Sequence, residues 1–315
     1  PQGAETLMKR LIFLLPILVV GCTRTEKLES GGYAGGETTT PAAVFHDLVP
    51  IEGGTFQMGS DEGRDDESPV HEVTVSDFSI TKYEVTNEQF AEFVNATGHV
   101  TDAEKFGNSI VFVGTMDMVD LNDVSQWWEI VEGANWQHPE GPDSTIEDRM
   151  DHPVVHVSWN DANAYAEWVG LELPTEAQWE YAMRNGLLGD PKEPHANIYH
   201  GEFPHNNTAD DGFVKTAPVG SFDPNADGVY DLAGNVWEWC ADWYRADYYS
   251  MSSKQDPTGP KTSWDPQEPG MNKRVIRGGS FLCHETYCSG FLPSSRMKTP
   301  PTDSHNHTGI RLVHN

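Results

Sequence analysis

The apolar residues between positions 73 and 80 approximate the alternation of a half-buried strand. Successive side chains of a strand point to opposite faces, so every second residue can lie against the core. The apolar positions of this segment are Val73, Val75, Phe78 and Ile80. The pattern predicts a strand with one buried face.

Three short helices are predicted from apolar residues spaced three and four apart and from residues that cap helix ends. The first covers residues 86–98 and begins with a capping-box pattern. The second covers residues 158–170, and the third covers residues 175–185. Their inward-facing residues include Phe90, Phe93, Val94, Ala162, Tyr165, Ala166 and Val169.

The rest of the chain after residue 44 is rich in glycine, proline, asparagine and aspartate, which favour turns and loops. No stretch of it changes composition for long enough to be a linker, and no internal repeat is evident. We therefore predict one domain over residues 44–315, of α+β class, with a large irregular share. Long ordered loops need additional interactions to hold them, which directs attention to metal sites and aromatic clusters.

The first 22 residues have the pattern of an export signal. Met8-Lys9-Arg10 supplies positive charge, and residues 11–20 are apolar over about half the length that a membrane-spanning helix needs. The segment ends in Val-Val-Gly-Cys22, which resembles a bacterial lipobox. That resemblance implies cleavage before Cys22 and a lipid on it, and it places residues 1–7 upstream of the true start.

Residues 23–43 contain glycine, threonine, serine and glutamate with almost nothing to bury, as is typical of a flexible tether. The protein is thus expected to be exported and anchored by lipid to a bacterial cell envelope, facing the periplasm or the outside. Its only contact with the membrane would be the N-terminal lipid.

The chain is strongly acidic, with 49 Asp and Glu against 20 Lys and Arg and a formal charge of -29. Nucleic-acid backbones are bound by basic side chains that displace counterions, so nucleic acid is not an expected partner. Hydrophobic residues make up 37% of the chain and include ten Trp, which is enough for a packed core. We assign the charge no role beyond solubility.

Two of the four cysteines, Cys283 and Cys288, are close enough in sequence to converge on one point. If Cys22 carries lipid, an odd number remains, which needs an explanation in an exported protein. The pair could form a disulfide, bind zinc together with His305 and His307, or form a two-thiolate site for copper(I). Copper(I) prefers sulfur, and its low coordination number leaves room for an incoming thiol. The spacing of the two cysteines alone leaves all three interpretations open.

A series of blocks resembles those of the formylglycine-generating enzymes, the sulfatase-modifying factor family, in family order. Together they cover nearly everything after residue 44. Several blocks are shared by the whole superfamily and imply only the fold, whereas the cysteine pair and the Trp-rich segment 105–146 are more particular to formylglycine generators. The blocks are IEGGTFQMG (51–59), GANW (133–136), HPEGP (138–142), HPVVHVSW (152–159), LPTEA (173–177), GNVWEW (234–239), and the segment from RGGS (277–280) through Arg296 to GIR (309–311).

The resemblance implies the fold of C-type lectin-like domains, with small twisted sheets, few helices and many ordered loops. It implies an enzyme that uses copper(I), oxygen and a thiol reductant to oxidise the cysteine of a Cys-x-Pro-x-Arg segment in an unfolded sulfatase polypeptide to formylglycine. Cys283 and Cys288 would hold copper(I), with the substrate thiolate as a third ligand. Ser280 would hydrogen-bond to the substrate or to oxygen, and the chain is expected to act as a monomer.

The same resemblance assigns substrate-binding roles in the pocket to His284, Tyr287, Arg296 and Trp237. Trp127, Trp128 and Trp136 could shape a groove for the peptide, with core packing as the alternative role for each.

Three positions depart from the family. Residues 289–295 are SGFLPSS where the family is often basic and aromatic, and His307 stands where asparagine is frequent. The peptide preference could therefore differ. Cys240 stands where the family usually has another residue, and it is expected to be a free, buried thiol.

Two calcium sites are also implied by the resemblance. Carboxylate and carbonyl oxygens are the ligands that calcium prefers. An EF-hand beginning at Asp223 is excluded, because its twelfth position is Gly234 where a glutamate is required. The ligand sets are Asn197, Asp211 and the backbone oxygens of Ile198 and Phe213 for the first site, and Asp231, Glu238 and the backbone oxygens of Gly234 and Val236 for the second.

A non-catalytic envelope lipoprotein with the same fold is the main alternative to the oxidase. That alternative predicts a broken cysteine pair, whereas both cysteines are present. A zinc-bound module is the third reading, and it would bind zinc tightly and take up no copper.

Overall fold

The computed structural model describes residues 46–191, 195–284 and 286–315. These residues belong to a single unit by their mutual contacts. The predicted export signal, the lipidation site Cys22 and the tether all fall within residues 1–45, outside the described residues. Across the described ranges, no helix is both long and apolar enough to cross a membrane.

The three predicted helices are confirmed. Each begins with a capping box in which a Thr or Ser hydroxyl accepts a hydrogen bond from the N3 amide. A further helix of five residues is too short to show an apolar period and is not predicted by it. The α-helices of the described part are α1 (Asn87–Thr97), α2 (Asp102–Phe106), α3 (Trp159–Val169) and α4 (Glu176–Asn185).

Short strands form five small sheets in the described part of the chain. The predicted strand over residues 73–80 is in fact two strands. Ser76 and Asp77 separate them, because these residues bond to Asp256 and Gly53 rather than to a neighbouring strand. The strands are β1 (Leu48–Ile51), β2 (Gly54–Met58), β3 (His71–Val75), β4 (Phe78–Thr81), β5 (Asn108–Phe112), β6 (Trp128–Glu132), β7 (Gly201–Glu202), β8 (Asn206–Asn207), β9 (Trp237–Trp243), β10 (Arg274–Arg277), β11 (Arg296–Thr299), β12 (Thr308–Gly309) and β13 (Val313–His314).

The largest sheet has the strand order β11-β10-β9-β12. β9 is antiparallel to β10, with Glu238 opposite Arg277, and parallel to β12, with Trp237 opposite Thr308. Three sequence motifs that lie far apart in the chain therefore meet at one end of this sheet. The remaining sheets are the three-stranded β1-β4-β13 and the hairpins β2-β3, β5-β6 and β7-β8. Small sheets with few helices confirm the predicted α+β class.

Among the described residues, three arginines are fully buried: Arg277, Arg296 and Arg311. Arg277 and Arg296 both donate to the buried carboxylate of Glu176. Arg311 pairs with Glu238. Burying a charge is costly unless it is paired, so these ion pairs fix the relative positions of the elements that carry them.

Candidate active site

The chain reverses sharply after β10 at Gly278 and Gly279, whose φ angles are +98° and +76°. A Cβ atom at Gly279 would lie 2.7 Å from the backbone nitrogen of Phe291 and 3.2 Å from the Cys283 sulfur. A side chain at this position would therefore force the two passes of the chain apart. The turn brings Cys283 to the end of the largest sheet.

Gly290 approaches Cys283 from the returning part of the loop. A Cβ atom there would lie 3.0 Å from the Cys283 sulfur and 2.4 Å from the ring of Trp237. The Cys283 sulfur is thus bounded by two glycines, with the Trp237 indole next to Gly290. Trp237, one of the predicted pocket residues, is buried at this point.

Cys283 and Cys288 are free thiols that lie close enough to interact. Cys283 is buried, whereas Cys288 is partly exposed. Burial and the contact with Cys288 raise the pKa of Cys283, while the hydrogen bond from Cys283 lowers the pKa of Cys288. Cys288 therefore ionises first, with the Cys283 thiol donating to it. The more accessible sulfur is also the readier nucleophile and metal ligand.

Ser280 holds the turn that carries the thiols. Its carbonyl accepts from the Cys283 amide at 2.9 Å, and its hydroxyl accepts from the Leu282 amide at 3.2 Å. The same hydroxyl lies 3.2 Å from Nδ1 of His307. Burial and two neighbouring histidines lower the pKa of His307 well below its usual value, so the imidazole is neutral. Nδ1 can then accept the serine hydrogen.

Aromatic side chains form a wall of the pocket next to Cys288. Tyr287 stacks on Phe203 with ring centres 4.0 Å apart, and Trp127 meets Tyr287 edge-on at 5.7 Å. Trp128 packs against His307, with ring centres 4.8 Å apart. The structure thus brings Tyr287, Trp127 and Trp128 to one place. This wall can shield the thiols from water.

Two other predicted aromatic or imidazole residues lie apart from this wall. Trp136 packs edge-on against Phe90 in the core at 5.3 Å, which is the core-packing alternative stated for it. His284 is partly exposed, and its Nδ1 lies 2.8 Å from the Thr286 hydroxyl.

Arg296 points into the interior rather than into an open pocket. Its guanidinium donates to both oxygens of Glu176 at 2.8 Å and to the Asp66 carbonyl at 2.8 Å. It also lies over the Tyr249 ring at 4.4 Å. This geometry gives Arg296 a structural role, and a direct substrate contact by its side chain stays a prediction.

A groove of about 440 Å³ lies between residues 59–67 and residues 289–295. Its lining includes Ser289, which directly follows Cys288, together with Glu62 and Arg64. In addition to the hydrogen bond from Cys283, the positive charge of Arg64 lowers the pKa of Cys288. The groove therefore lies next to Cys288.

The zinc reading of the cysteine pair is not supported by the geometry. Within residues 46–191, 195–284 and 286–315, no three His, Cys, Asp or Glu side chains are arranged to hold a metal ion. His307 is engaged with Ser280 instead. A site that needs only two protein sulfurs is unaffected by this result.

The first predicted calcium set contains a buried oxygen that has no partner. Asn197 donates from its amide nitrogen to the Lys215 carbonyl and to Asn235, which leaves Oδ1 buried and without a hydrogen bond. Asp211 accepts from the amide of Ile198 at 3.1 Å and from that of Phe213 at 3.0 Å. The donor set therefore suits a hard cation, because an orphaned buried oxygen is costly without one.

The second predicted set suits calcium less well, because Glu238 is already engaged. Its two oxygens accept from Arg311 at 2.8 to 2.9 Å, and one of them also accepts from Trp179 at 2.6 Å. Asp231 is held with φ of +58°, and burial raises its pKa to about 6. Nearby Glu84 has one oxygen on Asn235 at 2.7 Å and the other, which is buried, without a partner.

Sequence reasoning missed two residues of this region, Phe203 and Glu84, and the contact between His307 and Ser280. Nothing in the sequence around Glu84 marks it, because it stands among polar residues in the stretch TKYEVTN (81–87). Nothing local marks Phe203, which reaches Tyr287 across more than eighty residues of sequence.

A sequence model of the Sulfatase-modifying factor enzyme 1-like domain matches residues 36–315. A relative from Thermomonospora curvata named formylglycine-generating enzyme is 47% identical over 296 residues, covering 87% of this chain and 95% of its own. A relative from Bos taurus named inactive C-alpha-formylglycine-generating enzyme 2 is 46% identical over 284 residues, covering 84% of this chain and 87% of its own.

Among solved structures, that of PvdO from Pseudomonas aeruginosa is similar, with a TM-score of 0.59 and 26% identity over 85% of this chain and 94% of PvdO. Relatives named formylglycine-generating enzyme are 40–48% identical to this chain over most of its length, which supports sulfatase activation by formylglycine formation.

Proposed function

Because this chain belongs to the sulfatase-modifying factor enzyme family, we propose that it activates sulfatases by converting one of their cysteines to formylglycine. The observation that carries this function is the pair of neighbouring free thiols, Cys283 and Cys288, in an aromatic pocket. A lipoprotein that only binds a partner would need no such pair. The non-catalytic alternative is therefore the less supported one.

Cys283 and Cys288 are the residues that would hold copper(I). Two adjacent sulfurs suit a soft, low-coordinate ion, and the partial exposure of Cys288 leaves space for the substrate thiol. Bound copper(I) would supply electron transfer to oxygen. Overall, a cysteine side chain, one O₂ and two reducing equivalents from a thiol reductant give an aldehyde, hydrogen sulfide and water.

The protein groups have separate parts in this reaction. The Cys283 thiol donates to the Cys288 sulfur and favours its ionised form. Ser280, whose hydroxyl is oriented by His307, can hydrogen-bond to the reacting group. The wall of Tyr287, Trp127 and Trp128 can exclude water from the site.

The groove between residues 59–67 and 289–295 would hold the substrate peptide. It begins beside Cys288, and Glu62 in its lining could pair with the arginine of a Cys-x-Pro-x-Arg segment. A chain that enters such a groove must be extended, which agrees with an unfolded sulfatase as the substrate.

Turnover tests the proposed function. The full chain, loaded with copper(I), is incubated with oxygen, a thiol reductant and a Cys-x-Pro-x-Arg peptide, and the peptide mass is followed. We expect the mass change that replaces the cysteine CH₂SH by CHO, together with trapping of the product by a hydroxylamine probe. A folded, copper-loaded protein that leaves the peptide unchanged would favour the non-catalytic lipoprotein.

Calcium binding at Asn197 and Asp211 is a second proposal, supported by the unpartnered Asn197 oxygen. We expect calcium at about 100 times its dissociation constant to stabilise the fold by about 2.7 kcal/mol. This would raise the midpoint of thermal unfolding by roughly 5 °C. Differential scanning calorimetry with and without a chelator measures the shift.

The variant Asp211→Asn should lose most of the calcium-dependent rise in the unfolding midpoint, because it removes the negative charge from the proposed calcium ligands. Asp148→Asn, which changes an exposed aspartate elsewhere, should keep it. An equal shift in both variants would show that calcium binds at another place.

We also propose that the enzyme works in the cell envelope, anchored through Cys22 by the predicted lipobox. Exported sulfatases would then meet it on the same side of the membrane before they fold. Metabolic labelling with a fatty acid analogue, compared with a Cys22→Ser variant, tests the anchor.

A further inference from the structure

Exposed apolar side chains are concentrated in one segment of the chain. Of the fourteen large hydrophobic residues that are exposed among the described residues, six lie between residues 106 and 130. Met116, Met118 and Ile130 are the most exposed of all, at 96%, 77% and 70%. A concentration of exposed apolar residues is typical of an interaction surface. The six residues are Phe106, Val113, Met116, Met118, Val124 and Ile130.

This segment is the β5-β6 hairpin, and Trp128 at the start of β6 contacts the active site. Ile130 lies opposite Ile110, and Trp128 lies opposite Phe112. Directly paired residues share a face of the sheet, as do residues two positions apart, so these four side chains form one apolar face. Trp128 packs on His307, the partner of Ser280.

Exposed apolar side chains lie before and after Trp128 in the sequence of the hairpin. Ile130 is two residues from Trp128, or about 7 Å along the strand. In the other direction, residues 113–127 connect the two strands and carry Met116 and Met118 at high exposure. A peptide whose cysteine reaches the thiols, with its arginine arm in the groove beside Cys288, can therefore place residues of its other arm on the hairpin.

The charge of the hairpin restricts the kind of partner. Residues 113–132 contain no Lys or Arg and five acidic residues. A surface that is both apolar and acidic suits a chain with apolar and basic side chains. An unfolded segment around a Cys-x-Pro-x-Arg motif has a basic residue, and its apolar residues are not yet buried.

We propose that the β5-β6 hairpin is a docking surface for apolar residues that flank the reactive cysteine in the unfolded sulfatase chain. The proposal rests on the proposed function, because it names the substrate of the same site. It makes the enzyme selective for unfolded chains, since a folded sulfatase would keep these flanking residues in its core. Methionine suits such a surface, because its flexible side chain adapts to different partners.

Binding of unreactive peptides tests the docking surface without relying on turnover. The peptides carry serine in place of the reactive cysteine and a fluorescent label, and they have either apolar or polar flanks of equal length. Dissociation constants from fluorescence anisotropy should favour the apolar flanks by about tenfold for the unmodified chain.

The triple variant Met116→Ser, Met118→Ser and Ile130→Ser should reduce this preference to about twofold or less. The matched control is Met251→Ser with Met271→Ser, which removes two exposed methionines outside the hairpin and should keep the preference. Circular dichroism and the midpoint of thermal unfolding verify that all variants are folded.

An apolar preference that is absent from the unmodified chain, or that survives in the triple variant, would overturn the proposal. Turnover of the corresponding cysteine peptides is measured separately. A chain that prefers apolar flanks but oxidises neither peptide would refute the oxidase and leave the docking surface standing.

Discussion

Replacing Cys288 with serine is expected to reduce conversion of a Cys-x-Pro-x-Arg peptide by at least about a thousandfold, as for other reactive groups that act as a unit with their neighbours. A hydroxyl is a poor ligand for a soft ion, and it does not ionise under conditions in which the Cys288 thiol does. Initial rates of aldehyde formation measure the loss of turnover. Copper(I) titration against a competing chelator measures the loss of copper binding.

Cys283→Ser should give a loss of similar size, and the double variant should lose little more than either single one. This non-additivity is expected because the two interacting sulfurs form one site. Cys240→Ala is the matched control. Cys240 is a free buried thiol that belongs to the core, so its loss should leave copper stoichiometry unchanged and turnover within a few fold.

Two outcomes would count against the thiol site. One is a Cys288→Ser variant that keeps more than about a tenth of the activity. The other is a Cys240→Ala variant that is as inactive as Cys288→Ser, because loss of activity would then follow from damage to the fold rather than from loss of the pair.

The helices could be predicted because their signals are local. The caps at Thr86, Ser158 and Thr175 each bond to an amide three residues away, so sequence alone contains the whole interaction. The predicted strand over residues 73–80 was wrong in one respect. The adjacent polar residues Ser76 and Asp77 interrupt its alternation, but only the structure shows that they bond to distant residues and divide it in two.

The thiol site could be located in part because some of its signals are also local. Cys283 and Cys288 are five positions apart, and the glycines that bring them together are close in sequence. The contacts that complete the pocket are not local. Ser280 meets His307 across 27 positions, and Tyr287 meets Phe203 across a larger separation. Such pairs depend on how the sheets are assembled, which single-sequence patterns do not contain.

A residue within a recognisable motif can serve the fold in addition to its predicted part in the chemistry. Arg296 was predicted to bind substrate from its place in the motif, but its side chain pairs with Glu176 in the interior. Arg277 stands just before the catalytic turn and donates to Glu176, to Glu180 and to the Pro293 carbonyl. The ion-pair network thus ties both ends of the loop that carries the thiols to helix α4.

Glu176→Gln is expected to destabilise the protein by about 3 to 5 kcal/mol, the usual cost of removing one partner from a buried ion pair. The Glu176 carboxylate accepts two hydrogen bonds from Arg296 at 2.8 Å and one from Arg277 at 2.9 Å. A neutral amide removes the charge and offers only one oxygen. Arg296 would then be buried with no carboxylate partner, whereas Arg277 would keep Glu180. Urea unfolding measures the change in free energy.

Glu167→Gln on helix α3 is the matched control, because Glu167 is exposed and its nearest polar contact is Asn163. It should change the free energy of unfolding by less than about 0.5 kcal/mol. The Glu176 variant should also lose turnover at temperatures where it is still folded, because the network holds residues 293–296 beside the groove. If Glu176→Gln proved as stable as the Glu167 control, the network would not be what holds the catalytic loop. The packing of Gly279 and Gly290 around Cys283 would then have to fix the thiols without it.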